Sequence, residues 1–348
     1  IVKGISPTFG GINLEDIKAP EAFYIEQRLK EELNIPLMHD DQHGTAIISA
    51  AALINALELA DKKIDEVKMV VNGAGAAAIA CTKLYIALGL KKENVLMCDS
   101  KGVINHKREN LTPEKLDFIA QTDISTLEQA LEGADVFVGL SKGDVMTAKM
   151  LSSMAENPVV FALANPTPEI DYNLAIATRP DVIMATGRSD FPNQVNNVLG
   201  FPYIFRGALD VQATGINEEM KLAAVKAIAK LAKEPVPEMV KLAYNVKNLG
   251  FGREYFIPKP FDNRLLTKVS IAVAKAAIDS GIAGKPIMDF EAYETQLLDR
   301  MGRDEKLIRM MQNRARSNPK RVTLGNAEEY NVLKAAQILY EEGIAHPI

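Results

Sequence analysis

The run Val67-Lys68-Met69-Val70-Val71-Asn72, followed at once by Gly73-Ala74-Gly75-Ala76-Ala77-Ala78, constrains this chain more than any other stretch. A short apolar strand that ends in Gly-x-Gly and opens a helix of small residues must turn tightly. The first glycine permits the turn and the second lets backbone approach a pyrophosphate. Ala78 stands where a third glycine often sits and still allows close helix packing. Free N–H groups at the helix start favour phosphate. The next strand, Val95-Leu96-Met97-Cys98-Asp99, ends in an acid about 20 residues further on, where ribose hydroxyls are accepted. Gly73 to Ala78 and Asp99 are therefore candidate cofactor-binding residues. Asp99 suits the free hydroxyl of NAD, whereas Ser100 and Lys101 suit the 2′-phosphate of NADP. These residues leave NADP or NAD open.

Three more short apolar runs follow, Ala134–Gly139, Val159–Ala164 and Val182–Thr186, with helical stretches between them. Nearly continuous apolar strands alternating with helices indicate a parallel sheet covered on both faces. The expected fold class is α/β, a Rossmann-like doubly wound parallel sheet. Gly139-Leu140-Ser141, Asn165-Pro166 and Gly187-Arg188-Ser189 lie at strand C-terminal ends, where such sheets bind ligands, so Asn165 joins the cofactor candidates. Before the sheet, Pro20–Asn34 reads as a helix, Pro36–His39 as a short strand and Thr45–Ala60 as a long helix. After it, helices are expected at 218–233 and 263–280. A charged helical linker is expected over 285–318, and a new strand and helix start at 319.

With 348 residues, 47% hydrophobic and 24% charged, the chain has the composition of a soluble globular protein of about two domains. A net charge of -5 and a pI near 5.6 argue against a nucleic-acid or anionic-membrane partner. The apolar stretch Thr45–Ala60 is interrupted by Ser49, Asn55 and Glu58, which suits a buried helix rather than a membrane span. Cys81 and Cys98 have neither zinc-type spacing nor a disulfide framework and read as reduced core residues, which points to the cytoplasm. Ile1 is not an initiator Met, and both ends read like cuts through domains, so a fragment is expected.

Two acidic pairs, Glu15-Asp16 and Asp40-Asp41, precede the first strand of the sheet. Each is embedded in small or apolar residues and each precedes a helix. Carboxylates gathered in this way repel unless a cation neutralises them, and all-oxygen ligation suits Mg2+ or Mn2+ rather than zinc. His39 and His43 flank the second pair and read as hydrogen-bonded structural residues rather than ligands.

Together these residues resemble the malic enzymes. Phe9-Gly10-Gly11-Ile12-Asn13-Leu14-Glu15-Asp16-Ile17 resembles the family's metal-binding loop. His39-Asp40-Asp41-Gln42-His43-Gly44-Thr45-Ala46 resembles its second acidic motif. The Gly73 fingerprint, Phe161–Thr167 and Asn196-Asn197 follow in the family's order, so the likeness covers residues 1 to about 265. It implies that Glu15, Asp16 and Asp41 bind the divalent metal and that Asp40 sits beside them, either supporting the ligands or handling a proton. It also implies that Asn165 and Asn197 hydrogen-bond the carboxylate of the substrate, malate. The implied activity is oxidative decarboxylation of malate to pyruvate and CO2. The family's general-acid Tyr, general-base Lys and a substrate Arg lie upstream of the metal loop, and no position here matches them. A malolactic enzyme and a non-catalytic cofactor-binding fragment are the alternatives.

The remainder is similar to the hybrid bacterial malic enzymes. Ile257–Asp262 is like theirs. Pro319–Val322 and Val332–Gln337 resemble the opening of a phosphate acetyltransferase-like domain, although Gly325–Glu329 replaces a more acidic stretch. The implied division is a metal and substrate part over 1–50 and a nucleotide domain over 51–265. A helical linker over 266–318 and the start of the transferase-like domain over 319–348 follow. The resemblance further implies a homo-oligomer and acetyl-CoA as an effector.

Overall fold

The computed structural model describes residues 1–246, 248–301 and 311–348, which fall into two compact units, Ile1–Met288 and Asp289–Ile348. After two short helical turns, Val2–Ile5 and Ser6–Thr8, the first holds strand β1 (Ile12–Leu14), helix α1 (Glu21–Glu32), strand β2 (Leu37–His39) and a π-helical turn, Asp40–Gly44. The turn runs straight into helix α2 (Thr45–Leu59). Pro20 stands just before α1 rather than within its first turn. β1 and β2 pair in parallel, with Leu14 opposite His39. That register carries Glu15 and Asp16, the residues after β1, towards Asp40 and Asp41, the residues after β2.

The central sheet is built from β3 (Met69–Asn72), β4 (Val95–Asp99), β5 (Gly102–Val103), β6 (Val136–Gly139), β7 (Val159–Ala162) and β8 (Ile183–Thr186). Helix α3 (Ala76–Ala87) joins β3 to β4. The spatial order is β5-β4-β3-β6-β7-β8. All neighbours are parallel except the short edge strand β5, which runs antiparallel to β4. The five apolar runs became the five parallel strands. β5 was not expected, because two residues have no readable period. Val70, Leu96, Phe137, Val160 and Met184 lie in register across the sheet and share one buried face. On the other face Phe161 stacks on Phe256 with ring centroids 6.2 Å apart.

α2 is buried on nearly every side, as a helix of uniform apolar character must be. It packs between α3 and helix α5 (Glu218–Lys233). α5 has ordinary helix signals: Asn217 caps its N-terminus by accepting from Met220 N–H, Glu218 and Glu219 sit in the first turn, and Lys230 and Lys233 sit in the last. Helix α4 (Phe201–Asp210), which was not expected, and α6 (Arg264–Asp279) complete this layer. The Ser270 hydroxyl donates to Tyr203 O at 3.1 Å, tying α6 to α4. The expected boundary at 265/266 falls inside α6, and the first unit runs on to Met288.

In the second unit Asp289 caps helix α7 (Phe290–Asp299), accepting from Glu291 and Ala292 N–H. Strand β9 (Lys320–Val322), helix α8 (Tyr330–Glu341) and strand β10 (Ala345–Pro347) follow, and β9 and β10 pair in parallel. The strand and helix expected after residue 319 are these, with β10 in addition. The expected helical linker over 285–318 includes α7, while its residues 302–310 lie outside the described residues. Among the described residues no helix is long and apolar enough to cross a membrane.

The polar interruption of the α2 sequence has a use. Asn55, fully buried, donates to Ala229 O at 2.8 Å and to Phe256 O at 2.9 Å. It thus binds α2 both to α5 and to the loop whose ring stacks on the sheet. Asn55→Leu keeps the branched outline and removes both donors, leaving buried carbonyl capacity unmet. We expect a loss of about 1–3 kcal/mol in urea unfolding. An unchanged midpoint and slope would show that Asn55 ties nothing together.

Candidate functional site

The sheet order reverses between β3 and β6. The chain leaves β3 in one direction to β4, then returns to place β6 on the other side. A crevice opens at such a switch point, at the C-terminal ends of the strands. Gly73 occupies its floor with φ +138°, a conformation L side chains rarely adopt, and its N–H bonds Cys98 O at 2.9 Å. A Cβ there would come within 2.6 Å of Leu140 O. Gly75 faces open space, with nothing within 4 Å of an added Cβ. No side chain caps the start of α3, so its first N–H groups are free for an anion. Across the crevice Asn72 Nδ2 donates to Ser141 Oγ at 2.8 Å.

These groups border a cavity of about 650 Å³, a size suited to a cofactor. Gly73, Ala74, Gly75, Asp99 and Ser100 all line it, joined by Lys115. Ala76, Ala77, Ala78 and Lys101 do not; they belong to α3 and to the turn after β4. Asp99 accepts from Lys101 N–H and from the side chains of Arg108 and Lys115. Burial alone would raise its pKa, but these donors outweigh it and hold the carboxyl at about 2. Glu169, fully buried, was not foreseen. It accepts from Ser141 N–H at 3.2 Å and Ala164 N–H at 3.1 Å, and so pins together the loops after β6 and β7. Asn165 follows β7, is exposed, and has its amide against Gly187.

The second half of the site is the turn Asp40–Gly44, in which Thr45 N–H reaches back to Asp40 O. Such a wide turn inside a helix start often marks a functional site. It packs against α3, so the acidic groups lie beside the dinucleotide helix. Asp41 Oδ2 accepts from Asp16 N–H at 2.9 Å, and Asn13 Nδ2 donates to Glu15 at 2.8 Å. Asp40 is buried, and its Oδ2 accepts from the Asn197 amide while Oδ1 has no partner. The carboxylate lies against Gly44, where any Cβ would come within 1.9 Å of Oδ1. Asp40 and Asn197 are therefore brought together, whereas Asn165 sits at the end of β7. Among the described residues no three His, Cys, Asp or Glu side chains converge as a ready ligand set. The donor chemistry nevertheless fits a hard divalent cation: all-oxygen groups, mutually repulsive, with one buried oxygen unsatisfied.

His43 has the structural role expected of it. Its Nε2 is 3.0 Å from Glu26 Oε2 and its Nδ1 is 3.1 Å from Lys221 Nζ. Burial lowers its pKa below the ordinary range, so the neutral ring donates to Glu26 and accepts from Lys221. Burial also opposes ionisation of Glu26, but His43 and Lys30 prevail and lower that carboxyl to about 2. This chain of groups ties α1 to the acidic turn and to α5. His39 differs from expectation: its ring is fully buried and neither nitrogen has a hydrogen-bond partner. The ring is wedged beside the turn, with Nδ1 3.7 Å from Asp41.

With this geometry in place, likeness to known proteins is informative. The family model described as "Malic enzyme, NAD binding domain" matches residues 42–250, which begin just after Asp40 and Asp41 and include the Gly73 crevice and Asn197. The chain belongs to the malic enzyme family. It is 55% identical over 350 residues to the NADP-dependent malic enzyme of Salmonella typhimurium, covering 100% of this chain and 46% of that protein. It is 51% identical to the NAD-dependent malic enzyme of Rhizobium meliloti, with the same coverage. The chain thus spans about half the length of the curated relatives it matches. The crystal structure of malic enzyme from Pyrococcus horikoshii superposes with a TM-score of 0.76 at 39% identity, over 85% of this chain and 67% of that one. The α/β class and the Rossmann-like sheet are those of the family.

Within this malic enzyme chain, Asp40 makes a pH signature. Burial first, then the charges of Glu15 and Asp41, push its carboxyl from 3.8 up to about 7, against the pull of Asn197. Between those two values the folded chain holds a proton that the unfolded chain has released. Stability therefore falls as pH rises from about 4 to 7, by at most about 1.4 kcal/mol per unit. Urea titrations of wild type and Asp40→Asn in EDTA should show this fall in the wild type and a shallower one in the variant. Parallel profiles would mean that Asp40 ionises as freely as an exposed acid.

Proposed function

We propose that this chain serves the divalent-metal-dependent oxidative decarboxylation of (S)-malate to pyruvate and CO2, with NADP or NAD as hydride acceptor. The single observation behind this reading is the packing of the Asp40–Gly44 turn on the dinucleotide helix α3, which sets an acidic pocket next to a hydride acceptor's site. Glu15, Asp16 and Asp41 would hold Mg2+ or Mn2+. A cation there supplies Lewis-acid polarisation of the substrate's hydroxyl oxygen. The Gly73 turn and the open start of α3 hold the pyrophosphate. Asp40, with a carboxyl poised near neutrality, can hold or release a proton at its unpartnered Oδ1. Asn197 fixes that carboxyl from the other side and, with Asn165, is suited to a substrate carboxylate.

The same reading makes the protein a cytoplasmic homo-oligomer with acetyl-CoA as an effector and residues 319–348 as the start of a transferase-like domain. The two buried free thiols, Cys81 and Cys98, suit a reducing compartment.

The test is reduced-cofactor formation from malate by the full-length protein, with Mn2+ and with EDTA. Reduction should require the metal, and Asp41→Asn should weaken Mn2+ binding at least about tenfold, equivalent to about 1.4 kcal/mol. Reduction that persists in EDTA would sink the metal assignment. Lactate released without net reduced cofactor would replace the reaction with the malolactic one.

A further inference from the structure

Two neighbouring acids set opposite two more repel one another, so in the metal-free chain something other than the acids has to hold the Asp40–Gly44 turn. Glu26, on α1, is placed to do so. It is buried, and its carboxylate takes donors from both sides of the acidic pair. His39 N–H, just before Asp40, reaches Oε1 at 3.2 Å. Gln42 Nε2 and His43 Nε2, just after Asp41, reach Oε2 at 3.4 Å and 3.0 Å. Lys30, one turn further along α1, closes on Oε1 at 2.8 Å and neutralises the charge. A carboxylate has about four acceptor sites, so Glu26 has none left for an ion and is not a ligand itself. The far side of His43 is held too: Lys221 Nζ lies 3.1 Å from Nδ1 and 2.6 Å from Glu218 Oε1. An ammonium only donates. Nδ1 of His43 therefore accepts, and Nε2 carries the proton that Glu26 takes.

On the metal-site reading above, we propose that Glu26 is the positioning residue of that site. By clasping His39, Gln42 and His43 it fixes the backbone that carries Asp40 and Asp41, and so presets Asp41 beside Glu15 and Asp16 before an ion arrives. An ion then binds without first having to gather a loose turn. Outer groups that hold ligands in this way belong to a metal site although they never touch the ion. The clasp needs an acceptor on both oxygens. Glu26→Gln keeps the shape but turns one oxygen into an N–H donor, which meets the Nε2–H of His43. The ring cannot move its proton to Nδ1 to relieve this, because Nδ1 faces the Lys221 ammonium. Removing that ammonium frees the ring to do so.

Calorimetric titration of the full-length protein with Mn2+ and, separately, with NADP tests this without turnover. Glu26→Gln should weaken Mn2+ about tenfold, as loss of an outer partner does in metal sites, and leave NADP within about twofold. Adding Lys221→Met to that variant should restore most of the lost Mn2+ affinity, because the His43 ring can then accept from the new amide. A residue that only packs the fold would give no such recovery. If Glu26→Gln binds Mn2+ as the wild type does, weakens both ligands alike, or is not rescued by Lys221→Met, Glu26 is not the clasp and the inference is wrong. If the wild type itself binds no Mn2+, the metal reading fails along with it.

Discussion

The burial of α2 governs the rest of the first unit. A helix that is apolar on all sides has to be enclosed, and here the enclosing elements are α3 and α5. Its N-terminal turn carries Asp40 and Asp41, and α3 carries the N–H groups that no side chain caps. Once α2 is packed, the spacing between the acidic turn and the dinucleotide helix is set by core packing rather than by loops. Interiors pack as densely as organic crystals, so this spacing is stiff. The hydrogen bonds of Asn55 and the Glu26–His43–Lys221 chain add direction to what hydrophobic burial alone leaves unspecific.

Much of this was legible in the residues, for a physical reason. Parallel strands buried on both faces have to be short apolar runs, and those at Val67, Val95, Ala134, Val159 and Val182 emerged as β3, β4, β6, β7 and β8. The Gly73 turn was legible because only glycine suits its φ and its close approach to Leu140. β5, α4 and β10 were not expected: the two strands are two and three residues long, and α4 opens on a Phe-Pro pair that does not announce a helix.

The site itself was legible only where its residues are neighbours in sequence. Glu15-Asp16 and Asp40-Asp41 are visible as pairs, but the strand register that sets one beside the other is a property of the fold. Glu169 was missed because nothing local distinguishes a carboxylate that bridges two loops from an exposed one. The partners of His43 lie 17 and 178 residues away, beyond any local pattern. For the same reason Asp99 could be recognised as a strand-end acid, but not as one already engaged by Arg108 and Lys115 from the following loop.

The three-residue parallel pair of β1 and β2 has a consequence for how the chain tolerates changes in length. The segment between the strands, including α1, lies outside their pairing, and closing a loop a residue or two longer costs only a few tenths of a kcal/mol. Just past the pair, one added residue between Leu14 and Asp16, or between His39 and Asp41, would move a carboxylate away from the partner that the register sets beside it and break the Asp16 N–H bond to Asp41. Insertions and deletions should therefore be free to collect in the short loops on either side of α1, where they leave Glu26 on His43, and be barred from α1 itself and from the few positions next to the strands. In this part of the chain length is the constrained quantity, and residue identity matters chiefly where that length is counted.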